Sequence, residues 1–141
     1  MRSLAALISI TLLAACNGTP APAHVPAQPH QAAADGPVEF LLTSSASDFQ
    51  AHRPPFPRRF RNVRIGYVPA PDGSKQYMLC GSFLPSADGR DVPWLSFVTI
   101  KTSGYEQYIG AQAEDFCRRA SVVWLDGDFS SSLQNRLASQ H

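Results

Sequence analysis

Hydrophobic positions change their period several times along the chain. Leu4 to Leu13 form an apolar run of about ten residues, short of the ~20 that a bilayer span needs. Residues 17–37 follow with five prolines, six alanines and almost no charge. Such a stretch lacks the apolar surface to fold and is expected to be extended, with polyproline II character. At ~3.1 Å per residue it would reach roughly 60 Å. From Val38 the periodicity returns. Val38, Leu41, Leu42, Ser45 and Phe49 share one helical face and predict a helix over 38–51, ended by Pro54, Pro55 and Pro57. The rival reading is a short strand at 38–42, then a helix capped by Ser45 with Asp48 three residues on.

Three strand-like runs come next. Val63, Ile65 and Tyr67 alternate with Arg64 and Gly66, and Pro71-Asp72-Gly73 makes a turn. Residues 76–84 are apolar on both faces, as a central strand would be. Asp88-Gly89 marks the next turn, and Trp94 to Ile100 mixes aromatic and β-branched residues. Short turns make these three an antiparallel meander. Tyr105, Tyr108, Ile109, Ala113, Phe116, Cys117 and Ala120 then predict a helix. Ser103 and Glu106 have capping-box spacing at its start, and Arg118 and Arg119 suit the negative end of its dipole. Gly110 inside it would cost ~1 kcal/mol relative to alanine. Val122 to Leu125 predict a short buried strand. Asp128 is placed to cap a last helix carrying Phe129, Leu133 and Leu137. The expectation is an α+β domain over 38–141: a three-stranded meander plus a short strand, packed by two or three helices.

The start of the chain fixes an address. Arg2 precedes the apolar run, and Leu13-Ala14-Ala15-Cys16 follows its core. This segment resembles the signal of bacterial lipoproteins. The resemblance covers residues 1–17 and implies removal of residues 1–15 and lipidation of Cys16. Several acyl chains at ~0.8 kcal/mol per buried methylene make a stable anchor. Asn17 stands where an aspartate would retain a lipoprotein in the inner membrane, so the resemblance implies the outer membrane. The chain then reads as an anchored Cys16, a tether to residue 37, and a single domain in the periplasm or at the cell surface.

Removal of Arg2 leaves eleven Lys/Arg against eleven Asp/Glu, which argues against a nucleic-acid partner. Cys80 and Cys117 are the two cysteines besides Cys16; an even number in an oxidising compartment points to a disulfide. The alternatives are two free thiols, or a catalytic thiol formed if Cys80 meets His52. His24 and His30 read as solvated tether residues, and no cofactor or metal is implied. Asp126 and Asp128 around Gly127 have calcium-loop spacing, but a turn and a helix cap explain both. Glu114 and Asp115 are adjacent on a helix and point apart, which does not suit glycoside cleavage.

Arg53, Arg58, Arg59, Arg61 and Arg64 fall in a stretch with no carboxylate between Asp48 and Asp72, and Phe56 and Phe60 interleave with them. Arginine forks suit phosphate and carboxylate. Arg58, Arg59, Arg61 and Arg64 are therefore the candidate contacts to an anionic envelope component or an acidic envelope protein. The competing reading has them paired with Glu106, Glu114 and Asp115. No Gly-x-Ser-x-Gly or His-Glu-x-x-His motif is present. The sequence favours a non-enzymatic binding or structural module of the envelope. A small hydrolase or thiol enzyme, or an inhibitor or immunity protein, is the alternative.

Overall fold

A computed structural model describes residues 29–52, 56–86 and 91–140. The elements in chain order are α1 (Pro29–Ala51), β1 (Pro57–Pro69), β2 (Lys75–Pro85), β3 (Leu95–Lys101), β4 (Tyr105–Ile109), α2 (Ala111–Cys117), β5 (Val123–Trp124) and α3 (Ser130–Ala138). The strands form one antiparallel sheet in the order β4-β3-β2-β1-β5. The fold is α+β, with five strands rather than the expected three plus one.

The helical reading of 38–51 holds over its strand rival. Leu41, Leu42, Ala46 and Phe49 are buried on one side of α1, at the spacing of successive helical turns. The helix begins earlier than expected. The composition places residues 29–37 in the extended tether, whereas the structure makes them the first turns of α1. Two local causes act together: Ala32 to Ala34 have the highest helix propensity of any residue type, and Pro29 occupies the first helical position, where a missing N–H costs nothing. The rest of the tether, Cys16 and the Asp88-Gly89 turn lie outside the described residues.

β2 is the central strand, and both its faces are covered. On one face Phe60, Val63, Ile65, Leu79, Phe83 and Phe97 pack against Leu41, Leu42, Ala46 and Phe49 of α1 and Leu133 and Leu137 of α3. Phe49 is the hub: its ring lies 5.5, 5.0 and 5.2 Å from those of Phe60, Phe83 and Phe97, tilted or edge-on as the ring quadrupoles prefer. On the other face Met78, Cys80, Val98 and Ile100 pack under Ala113 of α2 and Val122. A disulfide joins Cys80 to Cys117 and ties α2 to the sheet, so the two free thiols and the Cys80–His52 thiol site are both excluded.

The predicted helix across 103–120 is the main correction. Residues 105–109 form strand β4, paired with β3 from Phe97↔Ile109 to Lys101↔Tyr105, and a helix of seven residues follows. Gly110 separates them, with φ +75°, a conformation no helix contains. The capping box does not form: Thr102 N donates to Gly104 O in the β3–β4 turn, and Glu106 accepts from Tyr108. Aromatic residues at both odd and even positions hid the strand period. Tyr108, Ala113, Phe116 and Cys117 still meet in one cluster, whereas Ile109 joins the opposite core.

The remaining elements match their sequence signals more closely. Gly73 at φ +83° and the bonds from Ser74 N and Oγ to Asp72 Oδ1 build the β1–β2 turn. β5 is half as long as predicted, and Val123 is exposed at 45% rather than buried. α3 starts at Ser130 with Phe129, not Asp128, at its N-cap position; Asp128 stands one residue earlier and its carboxylate accepts from Ser130 N at 2.8 Å. The same loop covers the β1 edge: Phe129 N donates to Val63 O, and Val63 N to Ser130 Oγ.

The side-chain bond from Ser130, then its backbone bond, hold the Asp128 carboxyl below its ordinary value of 3.8. A carboxyl lowered in the folded state contributes stability above its unfolded pKa and loses it as pH falls through the folded one. Asp128→Ala is therefore expected to cost about 1 kcal/mol at neutral pH, the usual net worth of a hydrogen bond. Urea midpoints of wild type and variant are expected to converge below the ordinary aspartate range. A constant gap down to strongly acidic pH would contradict this role.

Candidate functional site

Arg58, Arg59, Arg61 and Arg64 lie in β1 and are all exposed. In a regular strand, residues three apart point to opposite faces. β1 is not regular: its register on β2 shifts between Arg61 and Arg64, so Arg61 pairs with Ser82 and Arg64 with Cys80. Asn62, at φ 53°, stands in the irregular stretch, in a left-handed conformation that asparagine tolerates better than most residues. This bulge puts Arg61 and Arg64 on the same face, the one that carries the disulfide. Without it one of them would point into the Phe49 core.

Both arginines lie on indole rings. The Arg61 guanidinium is 4.1 Å from the centroid of Trp94, and that of Arg64 is 4.4 Å from Trp124. Stacking occupies the flat face of the guanidinium and leaves its N–H edge available. Trp124 can lie this close because Gly66 faces it: a Cβ there would stand 2.8 Å from Trp124 Cε3 and 2.8 Å from Val123 O. Arg58 and Arg59 instead border a shallow groove with Ser130, Ser131, Gln134 and Asn135 at the start of α3. Arg53 lies outside the described residues.

The expected neutralising pairs are not made. Glu114 binds Arg118 at 3.0 Å and accepts from Ser96 Oγ at 3.2 Å. Glu106 accepts from the Tyr108 hydroxyl at 2.6 Å, and that bond is the main cause holding the Tyr108 hydroxyl above its ordinary pKa. The other carboxylate contacts of this kind among the described residues are the Asp48–His52 contact and the Glu39–Arg136 ion pair. Arg58, Arg59, Arg61 and Arg64 therefore have no carboxylate partner among the described residues.

Between β1, β2 and α2 lies a cleft of about 230 Å³. Arg64, Asn62 and Trp124 form one wall, Glu114 and Arg118 another, and Ser82, Ser96 and the disulfide the floor. The sequence marked the arginines but not their companions. Trp94 and Trp124 are the chain's two tryptophans, and both end under an arginine. The odd spacing of Arg61 and Arg64 was the one available sign of a bulge.

The other candidate chemistries separate in space. His52 pairs with Asp48 one turn back on α1, and burial first, then the Asp48 charge and hydrogen bond, raise the Tyr105 hydroxyl above its ordinary pKa. Asp128 is engaged by Ser130. Among the described residues no three His, Cys, Asp or Glu side chains are grouped to hold a metal ion. No helix among them is long and apolar enough to cross a membrane. Comparison with protein-family models, with curated proteins and with solved structures finds no match to this chain.

Proposed function

We propose that this chain is a lipid-anchored binding module of the bacterial envelope, held to the outer membrane through Cys16 and engaging an anionic envelope component through its arginine-bearing strand. The observation that carries the proposal is the set of four exposed arginines without a carboxylate partner among the described residues. Four such cations on one strand raise a local positive potential even on a near-neutral chain. The signal-like segment ending at Cys16 supports the anchor, and a tether behind it would let the domain search the space next to the membrane.

Two measurements test the two halves. Changing Arg58, Arg59 and Arg61 together to glutamine is expected to abolish co-sedimentation with envelope fragments at low salt while leaving circular dichroism unchanged. Wild-type association should itself fall as salt rises, because exposed charges are screened over ~8 Å at physiological ionic strength. Retention of the triple variant at wild-type levels would overturn the arginine site. For the anchor, Cys16→Ser is expected to lose radiolabelled palmitate and release the protein from membranes; equal labelling of both forms would overturn it.

A further inference from the structure

The cleft beside the disulfide carries its own charge balance. Arg64 and Arg118 bring two positive charges to it and Glu114 one negative charge. Both Glu114 oxygens are occupied, one by Arg118 and the other by Ser96 Oγ. The walls therefore hold one uncompensated positive charge, and it belongs to Arg64. Its guanidinium presents an edge of parallel N–H groups, because its flat face rests on Trp124.

Resting on the binding function proposed above, we infer that this cleft takes a single carboxylate at the end of a peptide, with the Arg64 fork donating to both carboxylate oxygens. Two observations select that ligand. One uncompensated charge matches a monoanion, whereas a phosphate monoester, with its second pKa near ~6, carries close to two charges at neutral pH and exceeds what the walls supply. The volume, about 230 Å³, lies below the ~300–1,000 Å³ of sites that enclose a whole small molecule. It admits a terminal group while the rest of the ligand stays outside. Asn62 and Ser82 line the cleft with further donors for the polar atoms behind the carboxylate.

The disulfide positions the second wall. Arg118 follows Cys117 directly, and Cys80 is the register partner of Arg64. The bond thus fixes the helix end that carries Arg118 against the strand that carries Arg64.

Trp94→Phe leaves Trp124 as the only indole and makes it a fluorescent reporter in the cleft. The full chain in this background is titrated with N-acetyl-alanyl-alanine as the free acid, with the same dipeptide as its C-terminal amide, and with inorganic phosphate. A saturable change is expected with the acid, with binding roughly tenfold weaker for the amide and for phosphate. Arg64→Lys, which keeps the charge but not the fork, should weaken the acid several-fold, and Arg64→Gln should abolish the response while circular dichroism stays native. Equal binding of acid and amide, tighter binding of phosphate, no saturable response, or an unchanged response in Arg64→Gln would each overturn the inference. The sedimentation of the Arg58, Arg59 and Arg61 variant reports on the broader proposal separately. Loss of sedimentation there with no response here removes the cleft ligand alone; retention there with a response here removes the envelope site alone.

Discussion

Replacing Cys80 and Cys117 together by serine is expected to lower the stability of the domain by about 4 kcal/mol. The bond closes a loop of sequence separation 37, for which the loss of unfolded-chain entropy gives roughly that figure. For a domain of this size the loss corresponds to a fall of roughly 15–30 °C in Tm. The effect should be uneven. α2 has seven residues, too few to persist without tertiary support, and of these Ala113 is buried. Freed of Cys117, it should fray first and carry Arg118 away from the cleft, while the core around Phe49 persists. Thermal unfolding with and without reductant gives the total loss. Hydrogen exchange gives its distribution, with amides of 111–118 expected to lose protection before those of β2. A loss below about 1 kcal/mol, or uniform loss of protection, would contradict the role assigned to the bond.

Phe49→Ala is expected to cost about 3–5 kcal/mol, the range for emptying a core site of a phenylalanine. The site has little means of collapse. Phe49 is fully buried, and its three ring neighbours come from different strands, β1, β2 and β3, whose spacing is fixed by backbone pairing. α1 holds this face together with α3 through the Glu39–Arg136 ion pair and the bond from Gln50 Nε2 to Leu137 O at 3.2 Å. The ion pair is solvent-exposed and the hydrogen bond is a single part-buried one, so neither should make up for the lost ring. Equilibrium urea unfolding measures the change. Phe49→Leu, which keeps most of the volume, should lose much less. Equal losses in the two variants would show that the cavity is not the cause.

The central strand, the Asp72 turn and the last helix are legible because each rests on a local signal that tertiary structure does not override, and the disulfide is legible from the cysteine count. Apolar residues on both faces of 76–84 require burial on both faces, and β2 receives it from α1 on one side and α2 on the other. The segment 105–120 was not legible, because Tyr105, Tyr108, Ile109, Ala113 and Phe116 satisfy a helical period and one glycine decides otherwise. At Gly110 the positive φ sets a strand against a helix, and intrinsic propensity cannot show that choice. The start of α1 is hidden for a related reason: prolines dominate the composition of 17–37, while the alanines at 32–34 carry the local preference. Of the candidate site, the run of cations was visible and its geometry was not. A bulge, two indoles arriving from positions 94 and 124, and Arg118 arriving through the disulfide are products of register and topology.

The measurement that bears most directly on a binding face built around Arg61 and Arg64 is site-specific photo-cross-linking in intact cells, read by mass spectrometry. A photoreactive residue replaces Ser82, which lines the cleft and is the register partner of Arg61, or, in a second strain, Ser139, exposed beyond the end of α3. The binding face predicts adducts to an envelope component from position 82, lost when Arg61 and Arg64 are both changed to glutamine, with none from position 139. Adducts from position 139 alone, or adducts from position 82 that persist in the glutamine variant, would contradict it.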